Sequence, residues 1–141
     1  MNLKDEIFPL FKAAWDAQSP ALNGGTAPTV VYDTIFKNDS PPADEVYATI
    51  RVLSKDGAEI APLSPGGAGL WIRSGTVEVS VYVPIGSTAG AQLADVARGS
   101  LQGKVTEGGV ILRDVSIVEA GLDGPWYRWD LTASFDYDEA V

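Results

Sequence analysis

From Tyr127 to Tyr137 the chain reads YRWDLTASFDY, with Tyr127, Trp129, Leu131, Ala133, Phe135 and Tyr137 at the odd positions and Arg128, Asp130, Thr132, Ser134 and Asp136 between them. Strict period-two alternation cannot belong to a helix, whose faces repeat about every 3.6 residues. It dictates a strand with one apolar and one polar face. At ~3.3 Å per residue the segment is roughly 36 Å long, well above the usual strand. The sheet that contains it must therefore be deep, and something must cover its odd-numbered face.

Two segments have the pattern to do so. In NLKDEIFPLFKAAWDAQ, residues Leu3, Ile7, Leu10, Phe11 and Ala14 recur at helical spacing. Pro9 costs a hydrogen bond inside a helix, so the sequence predicts either a cap near Asp5 or Glu6, which puts Pro9 by the first turn, or a kink. SPALNGG then marks a loop. The second helix is AGAQLADVARGSLQG, capped by Ser87 or Thr88, with Leu93, Val96, Ala97 and Leu101 as its buried stripe and Gly103 as its stop.

The other strands follow from the same period. PTVVYD is a short one and FKNDSPPAD after it is loop. EVYATIRVLS points Val46, Ala48, Ile50 and Val52 one way and Tyr47, Thr49 and Arg51 the other. In WIRSGTVEVSVYVPIGST, Val77, Val79, Val81 and Val83 oppose Thr76, Glu78, Ser80 and Tyr82, and Pro84 ends the run. GGVILRDVSIVEAG slips out of alternation around Arg113 and Asp114, which predicts a bulge or a sheet edge; LDGP turns it into the final strand. Between Lys55 and Leu70 the glycines and prolines predict one long loop. With 141 residues, 45% of them apolar, the chain has the size of a single domain with one core. The resulting fold class is α+β: two layers, a mixed but mostly antiparallel sheet with two amphipathic helices on one face.

The chemistry available to such a domain is narrow. There is no Cys and no His, which removes disulfides, thiolate or imidazole metal sites, cysteine nucleophiles and Ser-His-Asp catalysis. Ser74, Ser80 and Ser134 lack a base, and nothing around Lys12, Lys37, Lys55 or Lys104 predicts the burial a reactive amine needs. SPGGAGLW lacks the GK[ST] ending and precedes a strand, so it is no phosphate cradle. Acid clusters stand at Asp136, Asp138 and Glu139 and at Asp5 and Glu6. A carboxylate-dependent hydrolase could use them, yet their spacing matches no metal loop, and a solvated segment and a helix start explain them. No cofactor is predicted.

The formal charge of −9, from 19 acidic and 10 basic residues, opposes wrapping around nucleic acid but not a surface that nucleic acid slides past. MNLKDEIF lacks the features of a signal peptide and no apolar run reaches a membrane span, so the expectation is a protein that works where it is made, without a membrane. Trp126 and Tyr82 fall on nominally polar faces, where a large aromatic marks either an interface rim or incidental exposure.

Three segments together, RSGTVEVSVYVPIGSTAG, LADVARGSLQGK…GGVILRD and GPWYRWDLTASFDYDE, resemble the tail terminator proteins of long-tailed bacteriophages. The likeness runs from Arg73 and Gly75 into a strand ending at Pro84, through the helix near Leu93, to Trp126, Phe135 and Asp138. With the N-terminal helix it spans nearly the whole chain, a single domain over residues 1–141. It implies a structural virion protein, not an enzyme, assembled in the host cytoplasm into a ring, usually a hexamer. Such a ring caps the head-proximal end of the tail tube, stops its polymerisation and meets the head-side connector, and DNA passes through it without specific binding. Other neck and tail-completion proteins are the near alternatives; a host adaptor or chaperone-like module, monomeric and blind to tail tubes, is another. On this reading Lys55, Asp56, Glu59, Pro62, Leu63, Pro65 and Leu70, with Trp126 and Arg128, are candidate contacts with the tube or a neighbouring subunit. Asp130, Asp136, Asp138 and Glu139 are candidates for the lumen or an inter-subunit face.

Overall fold

The computed structural model of the chain describes residues 2–33, 45–54, 59–61 and 70–140; at 59–61, 70, 71, 139 and 140 it describes the backbone. Helix α1 spans Leu3–Gln18 and is capped by Asn2, whose side chain accepts the Lys4 backbone N–H at 3.1 Å. The cap is thus three residues earlier than Asp5, and Pro9 lies well inside the helix. The helix tolerates it because Pro9 and Asp5, whose carbonyl loses its partner, both lie on the solvent side. Ile7, Phe11 and Trp15 are fully buried. Trp15, which the helical stripe had not included, also donates its indole N–H to the Pro28 carbonyl at 3.0 Å.

The strands are β1 (Thr29–Tyr32), β2 (Tyr47–Ser54), β3 (Glu59–Ala61), β4 (Leu70–Pro84), β5 (Ile111–Asp123) and β6 (Trp126–Ala140). Their order is β1-β2-β4-β6-β5, with β3 also on β4. Only β1 and β2 are parallel; the other pairs are antiparallel. The long alternating strand is therefore interior, flanked by β4 and β5, and its 15 residues span about 50 Å. The expected slip in β5 is both a bulge and an edge. The register shifts between Arg113 and Val115, and again between Glu119 and Gly121, in the strand that ends the sheet.

The stretch from Lys55 to Leu70 is not all loop. Glu59–Ala61 pairs antiparallel with Leu70–Ile72, so β3 continues along the side of β4 that β2 leaves at Gly75. Residues 55–58 and 62–69 lie outside the described residues. Beyond the ends of β2 and β5, the first residues of β4 and the last of β6 run on together with β3 at their side.

Helix α2 spans Gly90–Leu101 and carries the chain from β4 to β5, which run in the same direction with β6 between them. Its N-cap is Ala89, not Ser87 or Thr88; Ser87 contributes from two residues back, its hydroxyl accepting the Ala89 N–H at 3.3 Å. Leu93, Ala94, Ala97 and Leu101 are buried, whereas Val96 is only half-buried. Gly103, at φ 71°, supplies the left-handed residue that stops the helix. Both helices pack on one face of the sheet against Ala48, Ile50, Val77, Val79, Val81, Leu131, Ala133 and Phe135. Area removed from water at these positions is worth roughly 1.5–3 kcal/mol for each large side chain, which is what holds the two layers together.

Candidate functional site

With both helices on one face, the opposite face of the sheet carries the even-numbered residues of β4 and β6 together with Tyr47, Thr49 and Arg51 of β2. It is not uniformly wet. At one end Tyr47 stacks on Tyr82 with ring centroids 4.4 Å apart, and Trp126 meets Tyr47 edge-on at 5.5 Å while donating to the Glu45 carbonyl at 3.3 Å. Tyr47 and Thr49 are buried, although the alternation had set both on the polar side. Burial, followed by the neighbouring Tyr82 and Asp123, pushes the Tyr47 hydroxyl up to about 12. Tyr82 is raised as well, by burial, against the opposing influence of Arg128. The indole that alternation put on the polar face, as an interface rim or by incidental exposure, is thus the half-buried lid of an aromatic cluster.

Further along the same face every arginine in the described register is held by an acid. Arg51 pairs with Glu78 at 2.8 Å and Arg113 with Asp136 at 2.8 Å. Arg128 reaches Asp123 at 2.7 Å and lies 3.1 Å from Asp130, which also accepts the Ser80 hydroxyl at 2.8 Å. Asp130 and Asp136 are therefore half-buried partners of arginines. Asp138 follows on the same face and is exposed; Glu139 falls in β6 and Glu59 and Leu70 in β3 and β4. Lys55, Asp56, Pro62, Leu63 and Pro65 lie outside the described residues.

The pairing of Arg51 with Glu78 and of Arg113 with Asp136 was not foreseen. For Arg51 and Glu78 the signal was their place on the polar sides of their own strands, but a side needs the register before it names a partner. Among the described residues no three acids gather as metal ligands. A depression of about 510 Å³ beside Pro28, Thr29, Val46, Pro84 and Ser87 has Glu45 as its one acid. At the other acid cluster Glu6 accepts from the Thr106 hydroxyl at 2.9 Å and from the Gly108 N–H, pinning the turn before β5 to α1.

No family model matches the chain and no curated protein matches its sequence. Among the solved structures that are similar to it, two match it over nearly its whole length. The likeness is one of fold. One is a chain of the virion of a native gene transfer agent particle, 19% identical, with a TM-score of 0.51, covering 99% of this chain and 95% of that one. The other, without a functional description, is 20% identical with a TM-score of 0.56 and covers 92% of this chain and 94% of that one. The two-layer arrangement is thus shared over nearly the full length of both.

Proposed function

We propose that the chain is a structural protein of a phage-like virion, a tail terminator that closes into a ring on the head-proximal end of the tail tube. It stops tube growth, meets the head-side connector and lets DNA pass. The observation that carries this reading is the fold it shares, end to end, with a chain of a gene transfer agent virion, joined to the motif resemblance from Arg73 to Asp138. Its electrostatics agree. A wall that DNA slides past must offer phosphates no free cation, and Arg51, Arg113 and Arg128 on the open sheet face each have a carboxylate partner. The open face is accordingly the proposed channel wall, and Lys55 to Leu70 the proposed tube-docking segment.

The test is the native mass of the purified protein across concentrations, with and without a divalent cation, together with negative-stain images. Closed rings, formed alone or on addition of purified tail tubes, support the reading. A protein that stays monomeric with tubes present refutes it and favours an adaptor. Removing Pro62 to Gly69 should leave folded subunits that do not cap tubes; capping that survives the deletion would sink the docking assignment.

A further inference from the structure

Among the described residues the sheet ends in two different strands, β1 and β5, and apart from the start of β5 nothing pairs with the outer side of either. The start of β5 is closed, since Leu112 donates to the Lys104 carbonyl at 2.8 Å and Val105 bridges Ile111. Beyond Arg113 nothing among the described residues pairs with it, and the longest stretch of regular register between the two shifts is Val115–Glu119. Of the four most exposed large apolar side chains of the described residues, two lie on this strand and the other two near its ends. Val118 is 60% and Leu122 73% exposed on β5 itself, Val105 is 58% exposed at its start, and Ile85, 59% exposed, donates to Pro125 in the turn that follows. Open edges recruit strands, and proteins normally blunt them with charge or bulges; between the bulges of β5 the charge, Glu119, stands on the helix side with Tyr127, and the open side carries Ser116 and Val118.

We propose that this edge takes β1 of a second copy, so that the sheet runs on from subunit to subunit. The assignment deepens the ring reading above and rests on it. Three features select β1 as the occupant. Its four residues fit the five-residue regular stretch of β5. Following the pairings across the sheet, β5 runs opposite to β1, so a copy turned about an axis along the strands presents β1 antiparallel to β5, the stronger pairing. The faces also match. Val30 and Tyr32 lie on the helix side, as Ile117 does, and Val31 lies on the open side, as Ser116 and Val118 do. Face parity then permits Val31 opposite Ser116, which keeps all four residues within Val115–Glu119, or opposite Val118, which carries Thr29 one residue past it, and forbids the register between them. Because the two edges are unlike, the contact is head-to-tail, the kind that closes rings.

The chain contains no cysteine, which makes the test clean. Within one subunit β1 and β5 are four strand spacings apart, roughly 19 Å, far beyond the reach of a disulfide. Any bond between positions 31 and 118, or 31 and 116, therefore joins two copies. Mild oxidation of Val31→Cys/Val118→Cys or Val31→Cys/Ser116→Cys should give a reducible ladder of multimers, while each single variant gives at most dimers. Val118→Lys should lower the assembled fraction about tenfold or more without unfolding the subunit, and adding Val31→Glu should restore it. Rings that form by native mass yet show no ladder in either register, and that survive Val118→Lys, overturn this joint while leaving the ring reading intact. A ladder that grows into open chains keeps the joint and refutes the ring. A protein that stays monomeric with tubes present refutes both.

Discussion

At Gly75 a side chain has nowhere to go. A Cβ there would sit 2.2 Å from the Leu53 carbonyl oxygen and 2.5 Å from the ring of Phe135, the first being backbone that cannot step aside. Gly75→Ala should therefore destabilise the subunit by roughly 1–3 kcal/mol, the usual cost of overpacking, read as a lower urea midpoint at unchanged slope. Tyr47 offers a second test at this scale. Its folded-state pKa lies near 12 against 10.0 for the free group, so the folded protein holds the proton more tightly than the unfolded chain. That contribution is complete below pH 10 and drains away as the pH rises from 10 towards 12. Stability measured by denaturant across this window should fall, and Tyr47→Phe should flatten the fall. A variant with the same slope as the parent would show that another group governs it.

Among the elements, α1 shows how far local pattern goes. Its apolar repeat was legible, because Ile7 and Phe11 both enter the core, but its start was not: Asn2 and Asp5 are both good caps, and the choice depends on how much of the helix the sheet can cover. Pro9 sits exposed where no packing requires it, so Pro9→Ala should stabilise the protein by about 1–2 kcal/mol, the regained helix propensity less the lost rigidity of the unfolded chain. A thermal midpoint that fails to rise would mean that the proline shapes the helix axis for its packing. The strands were the most readable part, since alternation fixes the faces residue by residue, and the slip at Arg113 and Asp114 announced both bulge and edge. What stayed hidden needed partners distant in sequence. Tyr47 is buried on the polar side because Tyr82 and Trp126 are brought to it from β4 and β6, and β3 exists because β4 offers it an edge. The ion pairs of Asp130 and Asp136 follow from strand register, which no single segment contains.

For the molecule as a whole, the fold divides labour between two faces: one is filled by helices, and the other carries an aromatic cluster at one end and arginines that each have an acid partner, with acids in excess. If copies join edge to edge through β5 and β1, every copy turns the same face to the axis, and the charge on that face becomes the charge of the wall. The Asp130→Lys/Asp136→Lys variant tests this directly. It removes the partners of Arg113 and, in part, Arg128, and adds two cations per subunit, converting a silent surface into a phosphate-binding one. Rings should still form, because neither residue lies on an edge strand. DNA, however, should bind the variant rings in a gel-shift assay where it ignores the parent. That binding should weaken steeply with added salt, as counterion release requires. Rings that form and leave DNA unbound would put this face outside the channel. Subunits that fold but no longer form rings would place Asp130 and Asp136 at the joint, and the β5 edge would then have to give up that role.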